Sequence, residues 1–393
     1  MKITLLTTKL NLESGGGSNI ALDLKARELK NMGFEVKVVV CLQQEKIPGH
    51  APYQILVEEI KSTNPRKNLE EIENILKKHE KETDVYIVDG HFFIWGAALY
   101  KKNKGKSKVI VDLFSFLESA NFFNENPVRF DIRRTIGLAI QRIWGRQFAK
   151  NHLRYIDFFT YTSPVIKKFY AKFGIREDQM ALIPPFVDIE TNPTFRHSES
   201  DDIGIIFVGR LSRYKGIELL LKAVALIPNK KINLDVIGDG PDRDRLGEIA
   251  RKLNLTNIKW HGFVPRNKLH EYYEKATILV HPTIDPEPFG MSVLEGMKFG
   301  LPVITSENSG SAWLIGDGGL VFKNGNYKDL CNKILELCDN IELRREMGLK
   351  ALERAKYFDY KKWADELKKI IVKLEQGKSA SHSNEISQNY SIV

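Results

Sequence analysis

The sequence predicts an α/β protein built from two doubly wound parallel sheets, each covered by helices on both faces. Three observations predict it. Short runs of β-branched and apolar residues alternate with stretches of helical period along most of the chain, the pattern of buried parallel strands joined by crossover helices. The alternation is broken at residues 191–202, a polar stretch short of large hydrophobics that reads as a linker. The chain has 393 residues, enough for two domains of ordinary size, each with its own core.

In the first half, residues 2–8 read as a strand, 9–18 as a loop, 19–32 as a helix and 35–40 as a second strand. Gly15, Gly16 and Gly17 precede that helix, where a doubly wound sheet opens its ligand crevice. They do not form the G-x-G-x-x-G fingerprint, so no nicotinamide cofactor is expected. Gly16 and Gly17 serve either as an ordinary glycine turn or as a backbone cradle for a sugar or phosphate. Residues 84–88 form a strand ending in Asp89, Gly90 and His91, and 109–113 another that contains Asp112. A polar side chain at the carboxyl end of a buried parallel strand faces the crevice, which makes His91 a candidate substrate contact and Asp112 a weaker one. A strand at 156–161, a helix at 164–173 and a strand at 181–188 lead out of this half.

Between them, residues 114–130 hold five phenylalanines, and 129–154 hold seven Lys/Arg against the single acid Asp131. Ile132, Ile136, Ile140 and Ile143 share one helical face there. The segment is either a helix packed on its own domain with a solvated basic face, or a surface helix that docks peripherally on anionic lipid. The net charge of +9 is compatible with nucleic acid, an anionic membrane or anionic ligands. No nucleic-acid motif accompanies it, so no nucleic-acid partner is expected. The three cysteines lack metal-ligand spacing. No apolar run approaches the roughly 20 residues that span a bilayer, and the first residues lack a signal-peptide pattern. A cytoplasmic protein is expected; its oligomeric state is not legible.

In the second half, strands are expected at 203–208, 233–237, 258–261, 277–281 and 302–305, with helices at 216–227, 242–253, 265–276 and 291–299. Two stretches carry chemistry. The strand at 203–208 ends in Gly209 and Arg210, and five residues later Lys215 and Gly216 open a helix. An arginine fork and a lysine point charge suit a diphosphate, although two solvated cations on a loop would look the same. Further on, Glu287 and Glu295 bracket a Pro/Gly corner. Gly290 allows close backbone approach there, and Met291 begins a helix whose first N–H groups have no partner within the helix. Asp242 and Asp244 form a D-x-D at a helix start, where acids suit the helix dipole, so they are read as helix chemistry and no metal is expected.

Gly209-Arg210, Lys215-Gly216, Gly238-Asp239-Gly240-Pro241, the Glu287-x7-Glu295 pattern enclosing Phe289-Gly290, and the following Gly300-Leu301-Pro302-Val303-Ile304 together resemble the retaining glycosyltransferases of family 4, the group 1 family. The likeness is dense from about residue 203 to 322 and thinner elsewhere. It implies the GT-B fold, two Rossmann-like domains facing a central cleft. The boundaries would be 1–190 for an acceptor-binding domain, 203–356 for a nucleotide-sugar-binding domain, 357–376 for a helix crossing back to the first domain, and 377–393 for a disordered tail. The implied reaction needs no cofactor beyond a UDP- or GDP-sugar donor and delivers its sugar to an acceptor hydroxyl; the aromatic and basic residues of 114–154 point to a lipid-linked glycan, glycolipid or polysaccharide precursor as that acceptor.

The resemblance assigns the diphosphate to Arg210, Lys215 and the N–H groups after Gly290, the transferred sugar to Glu287, and the ribose to Glu295. Gly209, Phe289 and Met291 would line the donor, Gly262 and Val264 the base, while Gly16, Gly17 and His91 face the cleft from the first domain. One departure stands out: Asn308 to Trp313 occupies the place of the family's Gly-Gly pair and following Glu. A nucleotide-sugar epimerase of the same fold and a transferase with a soluble acceptor are the alternatives. A glycosidase-like carboxylate pair ranks lower, because a diphosphate leaving group needs no strong acid.

Overall fold

The computed structural model describes residues 1–12, 17–42, 47, 50–61, 67–116, 147, 149–187, 203–227 and 232–376. Its first sheet contains β1 (Lys2–Thr7), β2 (Glu35–Val40), β3 (Gln54–Val57), β4 (Val85–Asp89), β5 (Lys108–Leu113), β6 (Phe158–Tyr161) and β7 (Met180–Leu182). All pairs are parallel, in the order β3-β2-β1-β4-β5-β6-β7. Helices α1 (Gly17–Asn31), α2 (Leu69–His79), α3 (Gly90–Lys102) and α4 (Pro164–Ala171) accompany it. Five of six residues in both β1 and β2 are buried, as a sheet covered on both faces requires. The order reverses between β1 and β4, so the carboxyl ends of these two strands flank the crevice.

The second sheet is built the same way from β8 (Ile203–Val208), β9 (Ile232–Ile237), β10 (Ile258–Gly262), β11 (Ile278–His281), β12 (Val303–Ser306) and β13 (Gly319–Phe322). Its order is β10-β9-β8-β11-β12-β13, again all parallel, with the reversal between β8 and β11. The helices are α5 (Ile217–Ala225), α6 (Arg243–Lys252), α7 (Arg266–Tyr273), α8 (Met291–Lys298), α9 (Gly310–Ile315), α10 (Tyr327–Asp339), α11 (Ile341–Ala355) and α12 (Tyr360–Glu375). Phe207, Val236, Ile278, Val280, Ile304 and Leu220 anchor the core of this sheet.

The chain forms two compact units, Met1–Pro184 with the helical residues from Trp363 onward, and Pro185–Lys362. Most of α12 thus belongs to the first unit. Its buried residues, Trp363, Ala364, Leu367, Ile370, Ile371 and Leu374, recur three and four apart as one apolar stripe.

The structure adds β3, α2, α3, α9 and β13 to the expected elements and cuts the last strand of the first half short. The strand expected at 181–188 ends at Leu182, and Val187 makes only an isolated bridge to Asp359. Pro184 and Pro185 explain this, since neither has an N–H for a ladder. His91 stands not on a strand end but in the first turn of α3, directly after β4. The linker, the polar tail, Gly16, the stripe Ile132 to Ile143 and the arginines Arg133, Arg134, Arg142 and Arg146 lie outside the described residues. Among the described residues, no helix is long and apolar enough to cross a membrane.

Candidate active site

At the carboxyl edge of the second sheet, main-chain hydrogen bonds tie the loops together. Gly209 N donates to Ile237 O at 3.0 Å, Leu211 N to Asp239 O at 3.0 Å and Gly238 N to Gly262 O at 2.8 Å, which joins the ends of β8, β9 and β10. A Cβ on Gly238, whose φ is +129°, would lie 1.9 Å from Gly209 O, so the close approach needs glycine. Beyond β8, Arg213–Lys215 makes one 3-10 turn that Gly216 closes with φ +69° before α5 begins. Ile284 N and Thr283 Oγ1 both donate to Tyr214 O, at 2.8 and 3.1 Å. The turn is thereby docked on the loop that follows β11.

That docking brings Lys215 to Glu287. Lys215 Nζ lies 2.7 Å from Glu287 Oε1, and His281 Nε2 lies 2.5 Å from Oε2. His281 is the last residue of β11 and is 2% exposed. Burial alone would raise the Glu287 carboxyl, but the charges and hydrogen bonds of Lys215 and His281 outweigh it and hold the group well below the usual carboxylate range. The backbone is fixed as well, because Gly310 N donates to Glu287 O at 2.7 Å. Asn308 Nδ2 adds a bond to Ile284 O at 3.2 Å. The departing segment at 308–313 thus supports the glutamate's loop through Asn308 and the start of α9.

Glu295, the fifth residue of α8, meets different chemistry. Arg266 Nε of α7 is 2.8 Å from its Oε1, and the Tyr273 hydroxyl is 3.3 Å from Oε2. Here burial prevails over Arg266, and the carboxyl is raised above its ordinary value. The two glutamates of one motif therefore sit in opposite electrostatic regimes.

The remaining predicted residues distribute as follows. Arg210 is exposed, two positions past β8. Gly290, with φ +106°, directly precedes α8, and Met291 is its half-buried first residue. Phe289 is 4% exposed, with its ring edge-on to Phe358 at 5.6 Å and tilted against Trp313 at 6.4 Å. Gly262 has φ +68°, Val264 is half-buried, and Phe263 between them is 60% exposed. In the first unit, Gly17 and His91 are the first and second residues of α1 and α3. Asp112 is engaged internally: Lys25 forms an ion pair with it, and Thr160 Oγ1 donates to it at 2.8 Å. Burial pushes its neighbour Asp89 up to about 6, against the hydrogen bond from Thr7 and the charge of Lys25. Asp242 is paired with Arg245 at 3.2 Å just ahead of α6, and among the described residues no three His, Cys, Asp or Glu side chains converge to hold a metal.

Sequence reasoning passed over His281, Arg266 and Tyr273. The rule that selected His91, a polar residue ending a buried parallel strand, selects His281 as well. Arg266 and Tyr273 carried no signal, since they reach Glu295 from another helix.

The charge on Glu287 has a measurable consequence. A carboxyl held low by the fold contributes stability in full above the ordinary range near pH 4.3 (a rough reference value) and loses it as pH falls. Glu295, raised in the fold, acts with the opposite sign and offsets part of this. The expected result is that unfolding free energy falls less steeply from pH 6 to pH 3 in Glu287→Gln than in the wild type, as read by urea denaturation at each pH. Equal slopes would mean that Glu287 is not held low.

Comparison with known proteins now decides the family. The models for Glycosyltransferase Family 4 and for Glycosyl transferases group 1 match residues 14–191 and 188–354, respectively. The chain belongs to this glycosyltransferase family. Among solved structures of the GT-B fold, sucrose-phosphate synthase from Thermosynechococcus elongatus superposes with a TM-score of 0.76 at 21% identity, over 96% of this chain and 100% of that one. HepE of Anabaena, in complex with UDP and glucose, gives 0.73 at 18% identity over 95% and 99%. Such identities establish the fold alone. A glycosyltransferase of Methanocaldococcus jannaschii is 32% identical over 185 residues, 47% of this chain and 52% of the relative. The chain thus spans about half the length of that curated relative.

Proposed function

We propose that the protein is a retaining, metal-independent hexosyltransferase that moves a sugar from a nucleoside-diphosphate sugar to an acceptor hydroxyl. The observation that carries this reading is the convergence of Lys215 and Glu287 at the carboxyl edge of the second sheet, 2.7 Å apart and tied in place by main-chain bonds. Cleavage of the donor leaves positive charge on the sugar ring and growing negative charge on the diphosphate. Lys215, Arg210 and the N–H groups of Met291 and Ser292 at the start of α8 are preorganised to take the negative charge. Glu287, kept ionised, sets an anionic carboxylate on the sugar side.

Glu295, oriented by Arg266, is the partner for the ribose hydroxyls, and Gly262 to Val264 form the wall for the base. A uridine nucleotide is favoured over guanosine by analogy with the UDP held in HepE. The acceptor class is a lipid-linked glycan, glycolipid or polysaccharide precursor, bound by the first unit near Gly17 and His91, with peripheral contact to an anionic membrane.

A thermal-shift panel of UDP-, GDP- and ADP-sugars, followed by transfer assays with and without excess EDTA, tests the reading. A ligand that binds only the native state at about 100 times its Kd adds roughly 2.7 kcal/mol to apparent stability. The expected outcome is a clear upward shift with a UDP-sugar and transfer that survives EDTA. No shift with any of the three refutes the donor class; loss of transfer restored by Mg²⁺ or Mn²⁺ refutes metal independence. Release of an altered nucleotide sugar without an acceptor would mark an epimerase.

A further inference from the structure

We propose that His281 is a positioning residue, which keeps the Glu287 carboxylate in its working orientation while Lys215 changes partners. The proposal rests on the reading of Lys215 as a diphosphate ligand and of Glu287 as the sugar-side carboxylate. It starts from an asymmetry in how Glu287 is held. Its two oxygens are gripped by different donors, Lys215 Nζ on Oε1 at 2.7 Å and His281 Nε2 on Oε2 at 2.5 Å.

The two grips differ in mobility. Lys215 projects from a single 3-10 turn on a flexible stem, and its side chain is 15% exposed. His281 is 2% exposed and ends a strand with neighbours on both sides. It stands in register with Thr305 of β12, and Thr305 Oγ1 donates to its carbonyl at 3.2 Å. An ammonium on four methylenes can reorient toward an arriving phosphate. A ring buried at the end of a central strand cannot follow.

A diphosphate that engages Lys215 draws its charge away from Glu287 and adds a repelling anion beside it. The carboxylate then loses one of its two partners at the moment its orientation matters. The corner in which it sits, Pro286 to Pro288, offers no side chain to replace that partner. His281 remains, on the oxygen that Lys215 does not use. Because the acceptor is a carboxylate, the ring must carry its proton on Nε2, either as that neutral tautomer or as the cation. The grip therefore survives in either state of the ring.

The test is a double-mutant cycle of His281→Leu and Glu287→Gln in the full chain. It reads kcat for transfer and, separately, Kd for UDP. His281→Leu is expected to lower kcat by about 10², the scale of a misplacement near 1 Å, and to leave the Kd for UDP essentially unchanged. In the Glu287→Gln background it should add no further loss, since the two residues act as one unit. His281→Gln, whose amide N–H can reach the same oxygen, should recover most of the lost turnover. If His281→Leu fails to fold, His281→Asn, polar but too short to reach Oε2, takes its place in the cycle.

Equal losses in both backgrounds, or a UDP affinity that falls in step with kcat, would make His281 a packing residue and overturn the proposal. The underlying reading fails separately: Glu287→Gln at wild-type turnover removes Glu287 from the reaction whatever His281 does. A large loss in Glu287→Gln with wild-type turnover in His281→Leu overturns only the positioning role.

Discussion

Lys215→Ala lowers turnover by about 10² or more, and Arg210→Ala does the same. Removing one preorganised donor that faces developing negative charge costs about 10² to 10³ in kcat elsewhere, and the proposed function places the leaving diphosphate against these two cations. For Lys215 the loss has a second component. The same ammonium holds Glu287 Oε1 at 2.7 Å, so its removal also strips one of the two partners that keep that carboxyl ionised. Lys215→Arg should restore part of the activity, because the charge returns while the point geometry does not. Steady-state assays with the donor identified by thermal shift give the answer. Wild-type rates in both alanine variants would remove the diphosphate assignment.

Gly216→Ala unfolds the second unit at a lower temperature and takes activity with it. Residue 216 adopts φ +69°, and an added Cβ would lie 1.9 Å from Pro282 O, a backbone atom with no rotamer to move. Left-handed strain costs on the order of 1–3 kcal/mol by itself, and relief of the clash pushes the turn off the loop. A total near 3 kcal/mol would lower Tm by about 6–12 °C for a unit of this size. Lys215, one residue before, moves with the turn, so turnover should fall by about 10². Gly247→Ala is the matched control: it lies within α6, nothing stands within 4 Å of its added Cβ, and alanine favours helix by roughly 1 kcal/mol. A Gly216→Ala protein as stable and active as the control would show that this approach of the two loops holds nothing in place.

Among the strands, those buried on both faces were the most legible in the sequence. The strands β1, β2, β5, β8 and β11 are rich in apolar residues, because a central parallel strand has little polar face to show. The edge strands β3 and β13 are short and partly exposed, so their residues read as loop. Within the site, glycines and charges at loop positions were legible because close backbone approach and phosphate chemistry restrict residue type. Arg266 and Tyr273 were not, since a partner supplied by a neighbouring helix leaves no mark in the motif it completes. The segment 308–313 read only as a departure from a pattern. Its contribution is a backbone N–H and an asparagine amide, and the backbone share is invisible in residue identity.

That last point bears on how such a site can diversify. The loops around Lys215 and Glu287 are joined by N–H to C=O bonds from Gly209, Gly238, Ile284 and Gly310, and no exchange of a surface side chain removes these donors. Exposed residues such as Phe263 and Lys323 can therefore vary while Lys215 and Glu287 keep their spacing. Single substitutions at this rim leave the main-chain framework of the loops in place. The glycines themselves are the exception, which concentrates the mutational fragility of these loops in a few backbone positions and leaves their side-chain surface open to change.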